Sequence, residues 1–303
     1  MDIIGKRFWF FLISGVIILI GIISLVIFGL KTGVEFSSGS VVTVNFEQEV
    51  NQRDLGQGLA NLGYGGALIQ RLGTGDFLIR LPELNSESKT KLEADLTTRF
   101  GALKVEGFDS VSPMIASETT RNTVIAVVVA ALFILLYLAW AFRKMPNPFR
   151  FGTCAVIALA HDTLVVTGIF SICGAIFGWE INLMFVTGIL AIIGYSVNNT
   201  VVVFDRIREN QLKSAATFDV VVNNSMIETL GRSLNTSLTT IFTVVALMLF
   251  VGASIQNFVI VLLIGIIAGT FDSVCVAPSL LVVWRKGEWG RFIGRKPLPA
   301  SGG

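Results

Sequence analysis

The 303-residue sequence has one histidine and three cysteines, and only 15% of its residues are charged. One histidine without cysteine pairs excludes a zinc site of the usual ligand count. Cys154 and Cys173 fall on one predicted helix, roughly 28 Å apart at helical rise, so they cannot bridge. Cys275 lies in another apolar run, and all three read as small packing residues. The net charge of +2 comes without a basic cluster, which speaks against a nucleic-acid partner. No nucleotide-binding loop, nucleophile elbow or His-Glu metal motif occurs. No Ser or Asp pair is singled out for intramembrane hydrolysis. The sequence therefore reads as that of a non-enzyme with no bound cofactor.

What it has in abundance is hydrocarbon. Hydrophobic residues make up 53% of the chain and the mean hydropathy is +0.74, values of a polytopic α-helical membrane protein. The first span, Phe8 to Leu30, follows Lys6-Arg7. Its apolar run exceeds the roughly 7–15 residues of a signal-peptide core, so it reads as an uncleaved anchor. Five more spans follow: Thr123 to Phe142, Phe151 to Phe177, Ile181 to Phe204, Leu234 to Val251 and Asn257 to Trp284.

Between the first two spans, residues 31–121 are polar and rich in turns. Val41 to Phe46 alternates as a strand, and Asn51 to Leu62 reads as a short helix. Ala67 to Leu72 and Phe77 to Leu81 read as a hairpin around Gly73-Thr74-Gly75-Asp76. Ser86 to Phe100 is a capped helix with Leu92, Leu96 and Phe100 on one face, and Leu103 to Val111 a last strand. The order β-α-β-β-α-β is the ferredoxin-like pattern. The expected layout is an N-terminus and first span at 1–30, an α+β domain at 31–121, a five-helix bundle at 122–284 and a basic tail at 285–303. An inner amphipathic loop at 211–232 carries Val221, Val222, Ser225, Met226 and Thr229, and suits a membrane surface or the bundle wall. Lys and Arg concentrate at the termini and in two alternate loops, which places both termini in the cytoplasm and the α+β domain outside.

The chain is organised around Ile181 to Asn210. This run is long enough to cross a bilayer, yet it contains Asn198 and Asn199 and closes on Asp205 and Arg206. His161-Asp162 lies about 16 Å into the preceding span. Asp272 sits at similar depth in the last one. Arg232 begins a stripe with Asn235, Thr236, Thr239 and Thr240. Ionisable groups at such depth point to an ion or proton path, or else to side chains satisfied across helices. Arg232 suits either the path or an interfacial anchor, and His161 either a titrating group or an interior donor. Gly265 and Gly269 form a small-xxx-small pair suited to close helix packing.

Several motifs carry a family resemblance. Ile193-Gly194-Tyr195-Ser196-Val197-Asn198 runs into Val203-Phe204-Asp205-Arg206-Ile207-Arg208-Glu209-Asn210. Ala160-His161-Asp162 and Thr229-Leu230-Gly231-Arg232-Ser233, followed by Thr236-Ser237-Leu238-Thr239-Thr240, occur on the matching spans. Over nearly its whole length the sequence resembles the SecF family, the smaller membrane subunits of the bacterial SecD–SecF complex, within the resistance-nodulation-division superfamily. The resemblance implies a plasma-membrane subunit that works beside a SecD-like partner and the Sec channel. It would use the proton-motive force to promote preprotein export. Its implied coupling residues are Asp162, His161, Asn198, Asn199, Asp205, Arg206, Arg232 and Asp272. Gly33, Glu35, Phe36 and Gly39 match the family motif after the first span, with Glu35 where Asp is usual. The family commonly has Asp at the position of Asn199. An amide does not titrate, so proton traffic here would need Asp162, Asp205 or a carboxylate of the partner. The alternative reading is a stand-alone exporter of lipid or small molecules from the same superfamily.

Overall fold

The computed structural model describes residues 2–72, 75–250 and 255–289. Outside them lie Gly73 and Thr74 of the expected hairpin turn, Val251 at the end of the fifth expected span, and most of the basic tail, including Arg291, Arg295 and Lys296. The described residues divide into two compact units: those within 31–125 together with 180–183, and those within 2–30, 126–179 and 184–289.

In the smaller unit, alternating apolar residues build a four-stranded antiparallel sheet from β1 (Gly39–Phe46), β2 (Leu68–Arg71), β3 (Phe77–Leu81) and β4 (Leu103–Val111). The strand order is β2-β3-β1-β4. Counting helices from the N-terminus, where α1 is Arg7–Phe28 and α2 is Val34–Ser37, the two that cover the sheet are α3 (Gln52–Asn61) and α4 (Ser86–Phe100). Asn51 and Asn85 cap these two, accepting from the backbone N–H of Arg53 and Ser88; such caps satisfy donors that the first turn leaves unpaired. Leu55, Leu59, Leu92 and Leu96 pack on Val42, Val44, Phe77 and Ile79.

The motif after the first span lies in this unit. Gly33 donates its N–H to the carbonyl of Ile181, and Ile181 donates to that of Lys31. A Cβ on Gly33 would stand 3.2 Å from that same carbonyl, so no larger residue fits without moving the backbone. Gly39 adopts φ 113°, and a Cβ there would meet the Leu81 carbonyl at 2.7 Å. Arg80 donates to Glu180 and to the carbonyl of Thr32. The segment between the third and fourth spans thus packs with the α+β elements, which the linear sequence does not reveal.

The larger unit is a helical bundle. Its further helices are α5 (Pro113–Ala141), α6 (Pro148–Phe177), α7 (Leu183–Lys213), α8 (Phe218–Phe250), α9 (Gln256–Phe271) and α10 (Ala277–Lys286). Six candidate spans are long and apolar enough to cross a bilayer. The polarity of α1 is inverted relative to a water-soluble helix. It buries Ser14, Gly21 and Ser24 and exposes Leu12, Val16, Ile20 and Ile23. Against lipid nothing is gained by hiding leucine, so small residues make the helix contacts. A Cβ on Gly168 of α6 would stand 2.6 Å from the Gly21 Cα. Three residues further along each helix, Ser24 and Ser171 share a 2.9 Å hydrogen bond.

At the end of the bundle holding the N-terminus, Phe142 stacks on Phe151 at 5.0 Å, and Phe204 meets both edge-on. There Arg7 and Glu288, both buried, pair at 2.6 Å, and Asn223 accepts from the N–H groups of Ile3 and Ile4.

Three expectations need correcting. The amphipathic segment at 211–232 is not a separate loop helix: α8 runs unbroken from Phe218 to Phe250. Its buried stripe of Val221, Val222, Ser225, Met226 and Thr229 continues through Ser233 and Ser237, with no proline to stop the helix. The second span starts at Pro113, so residues assigned to the end of the α+β domain are already helical. The last span is not one regular helix, because Asp272–Val276 forms a π-helical turn between α9 and α10. Pro278 lies just beyond; it has no N–H for the carbonyl of Val274 and crowds it, and the wider turn relieves that crowding.

Candidate functional site

The mid-bundle polar residues converge from three helices. Asp162 falls at the middle of the 30-residue α6, and Asp272 near the middle of the 31-residue last span. His161, beside Asp162, places its Nδ1 3.2 Å from Asp162 Oδ1 and 3.7 Å from Asp272 Oδ1. Ser196 of α7 donates a 2.6 Å hydrogen bond to the other Asp162 oxygen, Oδ2. The exposures of His161, Asp162, Ser196 and Asp272 are 8%, 1%, 0% and 0%. Solvent therefore supplies none of their partners.

Small residues make this convergence possible. A Cβ on Gly269 would lie 3.1 Å from Asp162 Oδ2 and 3.2 Å from Ser196, so glycine leaves room for the bond between them. Gly265 serves a different purpose, receiving the Ile192 side chain. Around the cluster, Thr200 donates to Ser273, and Ser273 donates to the carbonyl of Ser196. Tyr195 reaches Ser237, which shares a 2.6 Å hydrogen bond with Thr270. Among the described residues, both Asp272 oxygens, His161 Nε2 and Asn199 Nδ2 have no hydrogen-bond partner. Each such buried polar atom is costly unless something supplies its missing bond.

The cluster atoms of His161, Asp162 and Asp272 spread over as much as 4.8 Å. Ligands around a first-row ion at about 2.1 Å stand mostly about 3.0–3.4 Å apart.

The other expected residues divide. Asn199 is buried beside the cluster in sequence, whereas Asn198 and Asp205 of α7 are exposed. Arg232 is exposed on α8 with Asn235, Thr236 and Thr239. Asp205 does not pair with Arg206. Asp205 pairs with Arg208 at 2.6 Å, and Arg206 binds Glu209 and Glu228. Helix phase explains these differences, because spacing fixes which residues share a stripe but not which way the stripe faces. Ser196, Thr200, Gly269, Thr270 and Ser273 were the less conspicuous members of the site. Their signal was small or hydroxyl-bearing residues in register with Asp162 and Asp272.

Fold and site together define a multi-pass helical membrane protein whose bundle encloses ionisable groups at mid-depth. The family model for protein export membrane protein SecD/SecF, C-terminal, matches residues 91–287. The chain is 45% identical to the protein translocase subunit SecF of Thermobaculum terrenum, covering 99% of both sequences. It is 39% identical to that of Anaerolinea thermophila, again over 99% of each. The crystal structure of SecDF from Thermus thermophilus superposes with a TM-score of 0.84 at 31% identity, covering 94% of this chain and 38% of that one. The chain belongs to the SecD/SecF family of protein-export membrane proteins, and its full-length relatives are SecF subunits.

Proposed function

We propose that this chain is the SecF-type subunit of a Sec translocase, working with a SecD-type partner to promote preprotein export across the bacterial plasma membrane. The energy source is the proton gradient, and the chain performs no catalysis of its own. The Sec channel, preproteins and membrane lipids are its further partners. Both termini are cytoplasmic, and the ferredoxin-like α+β domain at 31–121 is extracytoplasmic; the antiparallel order β2-β3-β1-β4 and the distribution of Lys and Arg support this reading. Asp162, His161 and Asp272 belong to the proton path.

The observation that carries the reading is the polar face of α7 and α8. Asn198 sits at the middle of the 31-residue α7, and it, Arg232, Asn235 and Thr236 are exposed in the isolated chain. Hydrocarbon does not tolerate such groups, so a protein partner covers them. In SecDF of Thermus thermophilus and of Bacillus subtilis, the region alignable with this chain makes up 35% and 38% of the length. The remainder of those chains supports a SecD-type partner here.

Co-expression with the SecD-type protein of the same source tests this. A stable one-to-one complex is expected, together with gradient-dependent export of a reporter preprotein. A homotrimer purifying without any partner would sink the proposal and favour a stand-alone exporter. Cysteine labelling of intact cells at Asn85 tests the topology, and protection from an impermeant reagent would reverse it.

A further inference from the structure

We propose that His161, Asp162 and Asp272 form one proton-binding site, with Asp272 as the carrier and Asp162 as the fixed counter-charge. The inference rests on the proton-driven reading above and deepens it.

Hydrogen-bond donors are scarce at this site. A single imidazole nitrogen, His161 Nδ1, faces both carboxylates, 3.2 Å from Asp162 and 3.7 Å from Asp272. One N–H satisfies one acceptor at a time. Asp162 takes it, and receives a second bond from Ser196 at 2.6 Å. Two donors compensate its ionised form. Asp272 is 0% exposed, and among the described residues neither of its oxygens has a hydrogen-bond partner. A bare carboxylate in that position has no compensation. A carboxylic acid brings its own O–H, with the Asp162–His161 pair within reach.

Charge counting agrees. Emptied, the site holds two carboxylates facing one imidazole N–H. Loading forms one O–H bond on Asp272, breaks none within the protein, and removes one negative charge. No other charge competes at close range. Between Phe8 and Phe28, α1 has no ionisable side chain, and α9 has none at all. From α7, Tyr195 is engaged with Ser237; on α8, Glu228 is bound to Arg206 and Arg232 is exposed. Cys275 is the other titratable group of the π turn, and Arg285 and Lys286 stand at the far end of α10. The site thus offers a titratable group in a bundle where Asn199 cannot supply one.

The test uses the full chain with its SecD-type partner in lipid nanodiscs, followed by infrared difference spectroscopy during a pH titration. The wild type is expected to show a protonated-carboxyl C=O band that shifts in heavy water. Asp272→Asn and Asp162→Asn should each lose it, because either leaves a single carboxylate to take the imidazole N–H. His161→Gln should keep the band yet lose the gradient-dependent part of export. Co-purification with the partner certifies folding, and Asp272→Ser replaces Asp272→Asn if the amide variant does not accumulate. A band that persists in the Asp272 variants, alongside undiminished gradient-dependent export, overturns the site and leaves the export reading standing. A band abolished by added Mn²⁺ or Zn²⁺ overturns it in favour of a bound metal. If wild-type export ignores the gradient while the band titrates and disappears in the Asp272 variants, the export reading fails and the site stands.

Discussion

Ser196 of α7 donates a 2.6 Å hydrogen bond to Asp162 of α6, and Gly269 of α9 leaves the space in which they meet. Three helices are therefore keyed to one another at a single buried carboxylate.

Breaking that key has a graded cost. Ser196→Ala removes one donor from a buried acceptor and should destabilise by about 1–2 kcal/mol. Gly269→Ala forces a methyl between Asp162 and Ser196 and should cost about 1–3 kcal/mol through overpacking. Thermal unfolding of the purified complex checks both. Unchanged midpoints would show that the helices part there freely.

The contact of Gly21 with Gly168 leaves no side chain to yield, only backbone. Gly168→Val should strip α1 from α6 and lower the amount of folded protein severalfold. The same change at Gly231, which has open space at its Cβ, should be mild, with a small gain in helix propensity. Immunoblotting of membranes measures the difference, and equal abundance of the two variants would refute it.

Arg7 and Glu288 test the worth of a buried ion pair. Removing either charge strands the other, at a cost of about 3–5 kcal/mol. The double change Arg7→Met, Glu288→Leu should cost far less than the two single changes together. A double-mutant cycle on unfolding free energies decides this. Additivity would mean that the pair contributes no coupling.

Burial holds the Glu180 carboxyl above its ordinary value of 4.5, and Glu35 adds to the rise while Arg80 and Lys31 oppose it. The folded protein therefore binds this proton more tightly than the unfolded chain does. The associated stability is complete below pH 4.5 and is lost as pH rises through the raised pKa. Glu180→Gln should flatten this component of the pH profile. Arg80→Met, which removes an opposing charge, should widen it. A Glu180→Gln profile with the wild-type slope would exclude the assignment.

Much of this was legible in the chain. Alternation at Val42, Val44 and Phe46 marked β1, and the helix starts read at Asn51 and Ser86 fall within a residue of the observed Gln52 and Ser86. Depth along the spans singled out Asp162 and Asp272. What the sequence withheld was orientation and register across helices. The stripe containing Arg232 was visible, but not that it lies on the exposed side of α8. The amphipathic half of α8 resembled a surface helix because its burial depends on neighbours distant in sequence. The π turn was hidden because Pro278 lies in an apolar run that otherwise reads as continuous helix.

That turn has a mechanical consequence. A π turn accommodates one residue beyond an α turn, and each residue of an α-helix accounts for about 100° of rotation. The buried face of α10, with Leu280, Leu281, Val282 and Val283, is therefore phased by the slack stored at Asp272–Val276. Tightening the turn by one residue would swing that face about a quarter of the way round its axis. Asp272 stands at one end of this gear, and the Arg7–Glu288 pair lies just past the other. A movement of one residue at mid-membrane is thus transmitted as torque to the bundle end where the chain begins.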